Sequence, residues 1–396
     1  MAAQEGKEVG AIIKGIYRDA IQITGKMRDR AYRLCGEFLR GAWQRITPQE
    51  LVVRPITGGL TNHLYYCGLP ENHTPHGDEP SEVLLRVYGR MHSEHDLQAI
   101  LTESVIFTLL SERELGPKLY GVFPGGRLEQ YIPARSLFTS ELTDPDISQK
   151  IAIQLAKLHS IEVPISKEPT WLWSSMDRWL KSGQEFLHEK TQTIPGVDKS
   201  VMEKLQKMNY EGELQFLKDV IKKMSPDVVF AHNDVQEGNL LLTSSDSSKK
   251  NVTMIDFEYC SYNYRGFDIA NHFCEWMYEY KLPVYPFFTA TTLRYPSQEQ
   301  QLHFIRSYFG ALDSVVKINN NSGFTLTKVN ENETKLLNEV LVFKLVSHLF
   351  WSLWSIVQGH ITSIPFGYMD YALVRMNDYY ADKDKLDLKF ILKEEN

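Results

Sequence analysis

A cluster of polar residues with a defined spacing lies just past the middle of the chain. The segment HNDVQEGN (232–239) follows an apolar run, and Asp256 ends a second apolar run. Asp234 and Asn239 are separated by four residues, and this spacing is suited to phosphoryl transfer. In that reaction a carboxylate orients and deprotonates the acceptor hydroxyl, while hard oxygen ligands share Mg²⁺ with the substrate phosphates. An Asp- and Asn-rich segment can also be a plain turn, but the flanking strands favour the catalytic interpretation.

The composition is that of a folded, globular protein. The chain has 396 residues, of which 43% are hydrophobic and 23% charged, so wholesale disorder is excluded. The net charge of −7 argues against a broad nucleic-acid-binding surface. The four cysteines are scattered without a CxxC pair, which disfavours a disulfide framework or a zinc site. This cysteine usage fits a reducing compartment, and we predict a cytoplasmic location.

Neither the start of the chain nor its most apolar run predicts membrane insertion. The first residues lack the basic start and apolar core of a signal peptide. The run 340–357 is interrupted by Lys344 and His348. Because a membrane span needs about 20 mostly apolar residues, we interpret this run as a buried helix and predict no membrane span.

The first third of the chain has the pattern of a small sheet. Predicted strands lie at 51–56, 63–69, 83–88, 119–122 and 128–132, with a helix at 97–112 between the third and fourth. Two earlier segments, 11–23 and 31–43, have helical patterns. Three strands, a helix and two strands predict a mostly antiparallel sheet with one helix.

After Pro133 the pattern becomes mainly helical. Predicted helices lie at 147–159, 175–188 and over much of 199–224, and the chain beyond 268 is again mainly helical. Short strands are predicted at 228–231, 240–243 and 253–257. We therefore predict an α+β fold of two lobes: residues 1–132 form a small antiparallel-sheet lobe with an N-terminal arm, and residues 133–396 form a large, mainly helical lobe.

The small lobe offers candidate phosphate-binding groups. Arg86 lies on the third predicted strand, where protein kinases carry a phosphate-binding Lys, and Glu103 lies on the next helix, where the partner of that Lys would be. Arg can bind phosphate oxygens bidentately. Taken alone, such a pair could be an ordinary ion pair, and Gly58-Gly59 could be a simple hairpin turn.

Taken together, the motifs resemble those of the choline/ethanolamine kinases, a family with a protein-kinase-like fold. The matching segments are ITGGLTN (56–62), EVLLRVYG (82–89), LGPKLYG (115–121), GRLEQYIP (126–133), HNDVQEGN (232–239), IDFEYCSYNYRGFDIANHFCEW (255–276) and FGYMDY (366–371).

The resemblance implies a role for each site residue. Asp234 would be the catalytic base, and Asn239 and Asp256 would be the Mg²⁺ ligands. The resemblance implies that Mg-ATP binds between the lobes, with an ATP-binding set of Gly58, Gly59, Leu60, Thr61, Asn62, Arg86, Glu103, Gln130, Tyr131, Ile132 and Gln236. It also implies a choline-binding set of Tyr259, Glu275, Tyr280, Trp351, Trp354, Tyr368 and Tyr371.

The aromatic residues support a cationic acceptor independently. The chain has 7 Trp, 20 Tyr and 19 Phe, of which 12 lie within residues 257–288 and 9 within 343–380. A quaternary ammonium cannot donate an N–H bond and is best held by aromatic faces with a carboxylate nearby. The same aromatic residues could instead be ordinary helical core.

The predicted function is phosphorylation of choline by ATP, the first step of phosphatidylcholine synthesis. Ethanolamine is the alternative acceptor. An aminoglycoside-type kinase would need a broad acidic cleft, and an inactive kinase-fold binding module would be expected to lack Asp234, Asn239 or Asp256. The resemblance also implies a homodimer.

Overall fold

The computed structural model describes residues 25–56, 62–88, 94–189, 196–244, 250–280, 282–316, 329–362 and 364–392. The chain divides into two compact units, Met1–Pro133 and Ala134–Asn396. The sequence-based boundary after Ile132 lies one residue before this division. The predicted helix at 11–23 lies outside the described residues.

The first unit is built on a five-stranded antiparallel sheet. Its strands, in spatial order β1-β2-β3-β5-β4, are β1 (Val52–Ile56), β2 (Asn62–Gly68), β3 (Glu82–Tyr88), β5 (Gly126–Gln130) and β4 (Leu119–Phe123). Two helices accompany it, α1 (Gly25–Leu39) and α2 (Glu94–Glu112). The order of strands and helices agrees with the sequence prediction.

A close approach of backbones fixes the centre of this sheet. Gly126 pairs with Val87, and a Cβ atom at Gly126 would lie 2.2 Å from the carbonyl oxygen of Arg86. Gly125, with φ +86°, makes the turn before it in a conformation that side chains disfavour. The tight turn therefore brings β5 against β3 at the level of Arg86.

The second unit is mainly helical with short strands. Its helices are α3 (Pro145–His159), α4 (Thr170–Glu189), α5 (Lys199–Gln206), α6 (Tyr210–Met224), α7 (Arg265–Glu275), α8 (Gln298–Val316), α9 (Glu331–Ile361), α10 (Tyr368–Lys383) and α11 (Leu388–Leu392). Its strands are β6 (Arg135–Ser136), β7 (Val228–Ala231), β8 (Leu240–Ser244), β9 (Lys250–Met254), β10 (Ser261–Tyr264), β11 (Tyr278–Tyr280) and β12 (Phe288–Ala290). They form three small antiparallel sheets, β6-β8-β9, β7-β10 and β11-β12.

The long helix α9 is the core of this unit. It begins with a capping box in which Asn330 and Glu333 exchange side-chain and backbone hydrogen bonds. The helix packs against α4, α7 and α10. It is long and apolar enough to cross a membrane, but 83% of its most apolar window is buried within the protein. It is therefore packed as a core helix, as the sequence predicted.

Several short strands were not predicted. The strands β11 and β12 have three residues each, too few for a periodic pattern to emerge. The predicted strand 253–257 is shifted, because β9 covers Lys250–Met254 and the backbone turns at Asp256, where φ is +65°. β10 was missed because it buries the polar side chains of Ser261 and Asn263, contrary to the usual alternation.

Candidate active site

The loop between β7 and β8 carries the central polar cluster, and helix α7 holds it in place. The carboxylate of Asp268 accepts hydrogen bonds from the backbone N–H groups of His232 (2.7 Å) and Asn233 (2.9 Å). His159 also contacts Asp268, at 3.0 Å from its Nε2. Asp268 is fully buried, and these donors together hold its pKa below the ordinary value. Asp268 therefore fixes the backbone that leads into Asp234.

Asn233 turns the chain at this point. Its φ of +69° lies in the left-handed region, where Asn is tolerated better than most residues. The side-chain nitrogen donates to the carbonyl oxygen of Tyr259 (2.8 Å) and to Ser261 Oγ (2.9 Å), and its oxygen accepts from Asn263 (2.7 Å). The missed strand β10 thus supplies the polar partners that lock the turn before Asp234.

Asp234 is half-buried and points a carboxylate oxygen at Asn239. The side-chain nitrogen of Asn239 donates to Asp234 Oδ2 (2.8 Å) and to its backbone oxygen (2.9 Å). Burial raises the pKa of Asp234 well above its ordinary value, and the negative charges of Glu275, Asp256 and Glu258 raise it further. A carboxylate with a raised pKa is better suited to accept a proton in the reaction.

The two predicted metal ligands come together at one end of the β8–β9 hairpin. Leu240 pairs with Met254, and the backbone oxygen of Asn239 accepts from the N–H of Ile255 at 3.0 Å, which places Asn239 beside Asp256. Among the described residues no group of three or more His, Cys, Asp or Glu has metal-binding geometry. A cation here would therefore depend on the amide oxygen, the Asp256 carboxylate and substrate oxygens, as Mg²⁺ sites with few protein ligands do.

Gln236 lies within the same loop. Its side-chain oxygen accepts from the N–H of Gly238 at 3.0 Å and caps a short 3₁₀ turn, Glu237–Asn239. This bond fixes the side-chain amide of Gln236 through its oxygen, and the amide nitrogen is the group that could donate to a phosphate. The turn also presents Asn239 toward Asp234.

The aromatic residues of the predicted acceptor set form one connected group together with Phe366. We call this group the aromatic cluster; its members are Tyr259, Tyr280, Trp351, Trp354, Phe366, Tyr368 and Tyr371. Tyr259 contacts Trp351 (6.2 Å between ring centroids), Trp351 contacts Trp354 (5.4 Å) and Trp354 contacts Tyr368 (6.2 Å). The side chains of Tyr259 and Trp354 are half-buried, whereas Trp351 and Tyr368 are buried behind them. Trp351 is fixed by a 2.7 Å hydrogen bond from its Nε1 to Asn271 Oδ1.

Phe366 connects this row to the remaining predicted residues, and the sequence analysis did not assign it to the site. Its ring lies 5.0 Å from Tyr368, 5.6 Å from Tyr371 and 6.4 Å from Tyr280. Tyr280 and Tyr371 share a 2.9 Å hydrogen bond between their hydroxyls. Phe366 could have been included from the sequence, because it stands beside Gly367 and Tyr368 in the matched FGYMDY segment.

Glu275 is buried at the edge of the aromatic cluster with two partners. Its Oε1 accepts from Arg375 Nη2 at 2.5 Å, and its Oε2 accepts from the Tyr280 hydroxyl at 2.7 Å. Arg375 also donates to the Tyr371 hydroxyl. Arg375 was not predicted from the sequence, although it follows Tyr371 by one helical turn.

The predicted nucleotide residues of the first unit form a buried ionic chain. Arg86 binds Glu129 (3.4 Å), Glu129 binds Arg127 (2.7 Å), and Arg127 binds Glu103 (2.5 Å). The expected partnership of Arg86 with Glu103 is therefore wrong: Glu103 pairs with Arg127, and Arg127 and Glu129, which were not predicted, lie between the two. They alternate along β5, which places both side chains on one face of the strand.

The other predicted nucleotide residues are placed as follows. The Gln130 side-chain oxygen accepts from the Lys118 N–H (3.2 Å), the Tyr131 ring stacks edge-on against Tyr66 (4.8 Å), and Ile132 follows at the end of the unit. Four predicted residues, Gly58, Gly59, Leu60 and Thr61, lie outside the described residues, and Asn62 is described in its backbone as the first residue of β2.

Comparisons with known proteins identify one family. The family model described as choline/ethanolamine kinase matches residues 53–380. A human protein named choline/ethanolamine kinase is 45% identical over 371 residues, which are 93% of this chain and 89% of that protein. Mouse choline kinase alpha is 44% identical, covering 91% of this chain and 82% of its own length.

Solved structures show the same fold. A choline kinase from Cryptosporidium parvum has a TM-score of 0.74 at 26% identity, covering 92% of this chain and 97% of its own. An aminoglycoside phosphotransferase-like protein from Ralstonia eutropha has a TM-score of 0.57 at 12% identity, a likeness of fold alone. The predicted two-lobed kinase fold and the predicted family are confirmed: this chain belongs to the choline/ethanolamine kinase family.

Proposed function

We propose that this chain transfers the γ-phosphoryl group of ATP to the hydroxyl of choline, giving phosphocholine and ADP. Family membership and relatives named choline kinase support the predicted enzyme class. The observation that carries the proposal is the hydrogen bond between the loop of Asp234 and the aromatic cluster: the side-chain nitrogen of Asn233, the residue before Asp234, donates to the carbonyl oxygen of Tyr259 at 2.8 Å. Choline held by these rings would therefore have its hydroxyl near Asp234, the proposed base.

Asp234 accepts the hydroxyl proton that choline loses in this reaction. The choline oxygen forms a bond to the γ-phosphorus, the bond from that phosphorus to the ADP oxygen breaks, and the hydroxyl proton passes to Asp234. The hydrogen bond from Asn239 holds one carboxylate oxygen of Asp234 at 2.8 Å. Such positioning, more than covalent chemistry, is what phosphoryl transfer requires.

The donor set at the hairpin end fits Mg²⁺, with Asn239 and Asp256 as its protein ligands. Asp256, Glu258 and Glu275 are close enough to Asp234 to raise its pKa together, and this concentration of negative charge would be relieved by a divalent cation. When bound with ATP, Mg²⁺ would neutralise phosphate charge as the transition state forms.

The aromatic cluster supports choline as the acceptor. Ring faces attract a weakly hydrated cation without any hydrogen bond, and each good contact contributes from about 0.5 to 2 kcal/mol. Tyr259, Trp354, Tyr280 and Phe366 are half-buried and so have face or edge area left for a ligand. Ethanolamine is the second candidate acceptor, because the matching family is described as choline/ethanolamine kinase.

The nucleotide site is proposed to use Arg86 and Gln236 for the phosphates and Gln130 to Ile132 for adenine, together with the loop 58–62. The ionic chain behind Arg86 supports its part. Because Glu129 binds Arg86 and Arg127 at once, the guanidinium of Arg86 is held in the sheet. A fixed guanidinium binds phosphate at a lower entropic cost than a free side chain.

The deciding experiment measures ADP release by the purified full chain with Mg²⁺ and ATP. Four arms are compared: choline, ethanolamine, kanamycin and no acceptor. Release with choline well above the other arms supports the proposal, and confirmation of phosphocholine by mass spectrometry completes it. Release with ethanolamine alone would retain the base and metal residues but overturn the choline assignment. Removal of Mg²⁺ with EDTA should abolish release in the active arm.

Two further predictions stand as proposals. A homodimer is expected, and sedimentation equilibrium of the purified chain measures its mass against the monomer value of 45.8 kDa. A cytoplasmic location is expected from the cysteine usage, and fractionation of cells that express the chain tests it.

A further inference from the structure

We infer that Arg375 is a positioning residue that sets the acceptor preference: by compensating Glu275, it makes the aromatic cluster select a quaternary ammonium over a primary ammonium. This inference rests on the proposed function, because it concerns the acceptor that the same cluster binds. In this role Arg375 makes no contact with the substrate.

Arg375 is fully buried and all its nitrogens are engaged. Nη2 donates to Glu275 Oε1 and to the Tyr371 hydroxyl (2.7 Å), Nε donates to the same hydroxyl (2.9 Å), and Nη1 lies 3.5 Å from His348 Nδ1. The guanidinium also stacks over the Tyr278 ring, at 3.9 Å from its centroid. A side chain held on every side can act only through the groups that it touches.

Its main effect is on the charge of Glu275. The two side chains are almost completely shielded from solvent, with exposed fractions of 0% and 3%, so their charges are screened little by water. At 2.5 Å the Arg375 cation offsets part of the attraction that the Glu275 carboxylate would otherwise exert on a cation in the cluster. The ion pair therefore increases the share of the attraction that comes from the rings.

The hydrogen-bonding capacity of Glu275 is also partly occupied. One oxygen accepts from Arg375 and the other from the Tyr280 hydroxyl. A primary ammonium enters the site only if acceptors replace the water bound to its N–H groups, because an unpaired buried donor is costly. A quaternary ammonium has no such groups and needs only the ring faces. The same contacts thus penalise ethanolamine more than choline.

Removal of Arg375 should reverse this selection. Glu275 would then present an uncompensated carboxylate with Oε1 open to an N–H donor. Both cations would be attracted, but only ethanolamine could use the open oxygen. The ratio of kcat/KM for choline to that for ethanolamine is therefore the quantity that Arg375 controls.

The test compares the wild type with Glu275→Gln, Arg375→Met, the double variant and Arg375→Lys. Steady-state ADP release is measured with choline and with ethanolamine, and the KM for ATP is measured in each. In Arg375→Met the choline-to-ethanolamine ratio should fall by about tenfold or more. In Glu275→Gln the KM for choline should rise on the order of tenfold, because the Arg375 cation is left unpaired beside the ligand.

The double variant is decisive because it leaves no unpaired buried charge. If Arg375 compensates Glu275, the double variant should return the KM for choline to within about threefold of wild type. Arg375→Lys should keep the wild-type ratio, and the KM for ATP should stay constant throughout. If Arg375→Met does not fold, the double variant and Arg375→Lys still decide.

Three outcomes would overturn the inference. A double variant as weak for choline as Glu275→Gln would mean that Glu275 supplies an uncompensated charge. An unchanged ratio in a folded Arg375→Met would mean that Arg375 has no part in selection. A wild type that phosphorylates neither acceptor would overturn the proposed function as well, whereas a wild type active on choline separates the two failures.

Discussion

Each unit contains a buried Arg–Glu network, and the two networks are built differently. In the first unit four charged side chains alternate in sign, from Arg86 through Glu129 and Arg127 to Glu103. In the second unit the network considered is the Arg375–Glu275 ion pair, which is surrounded by tyrosine hydroxyls and rings.

The difference matches the charges of the proposed ligands. In the first network Glu129 holds Arg86 in the sheet, and a fixed guanidinium is suited to an anionic phosphate. In the second network Arg375 is surrounded on all sides, and the rings around Glu275 are what a cation would meet. We therefore expect the first network to hold a phosphate through Arg86, and the rings around the second network to hold a cation.

The largest effect is expected at Asp234, which lies beside the second network. Asp234→Asn should lower kcat by on the order of 10²–10⁴, because the variant cannot accept the hydroxyl proton. Its ATP affinity, measured by equilibrium binding, should stay near normal. Asp313→Asn, at an exposed position on α8, is the matched control and should keep full activity. Retention of most activity by Asp234→Asn would remove it as the base.

Breaking the first network should have the next largest effect. Glu129→Gln would leave two buried guanidinium groups without their shared carboxylate, and such a loss costs about 3–5 kcal/mol of unfolding free energy. The KM for ATP should rise because Arg86 is no longer held, while the KM for choline should change little. Urea unfolding and steady-state kinetics measure the two effects. The exposed Glu112→Gln on α2 serves as the control.

If Glu129→Gln raised the KM for choline as much as that for ATP, the separation of tasks between the two networks would be wrong.

The pKa of Glu129 is held below its ordinary value by Arg86 and Arg127, against the opposing effect of burial. Its contribution to stability is therefore present above about pH 4.5 and is lost only as the pH falls through the lower folded value.

The two units should differ in their response to acid. His272 is fully buried, its Nδ1 lies 2.9 Å from the Val235 carbonyl oxygen and its Nε2 accepts from Trp276. Burial lowers its pKa to about 4 from the ordinary 6.5. Because the unfolded chain binds this proton more readily, stability is full above about pH 6.5 and falls toward pH 4, by about 2 kcal/mol at pH 5.

Hydrogen exchange measured at pH 7 and pH 5, corrected for intrinsic rates, tests whether the second unit loses stability before the first. Peptides of α7 should lose protection before peptides of β3 and β5. The variant His272→Gln, which cannot be protonated, should have a smaller loss between the two pH values than the wild type. Equal loss in β5 and α7 would contradict the assignment of early acid sensitivity to the second unit.

The features that were predicted correctly from the sequence depend on short segments of the chain. The alternating strands of the first unit and the spacing from Asp234 to Asn239 are local features, and the antiparallel order β1-β2-β3 followed from short connections. The resemblance placed the aromatic residues from separate segments in one site. The rings from Tyr259 through Trp354 and Phe366 to Tyr371 do form one connected set.

What the sequence did not predict depends on contacts between distant segments. Glu275 and Arg375 are 100 residues apart, and Arg86 and Glu129 are 43 residues apart. No periodicity connects such positions, and a charged residue in a helix is usually a surface residue. Asp268 was visible within the matched segment 255–276, but its bonds to the backbone of His232 and Asn233 require the fold.

The smallest expected effect concerns the aromatic cluster itself. Trp354→Ala should raise the KM for choline by an amount equivalent to about 1–2 kcal/mol, because one ring face is lost, and should leave the KM for ATP nearly unchanged. Trp173→Ala is the matched control: Trp173 is also half-buried, but it contacts Tyr264 and Lys218 outside the cluster. If both variants raised the KM for choline equally, the loss would reflect general packing. If neither did, Trp354 would be a core residue, and the attraction of the second network for a cation would have to come from Glu275 rather than from the rings.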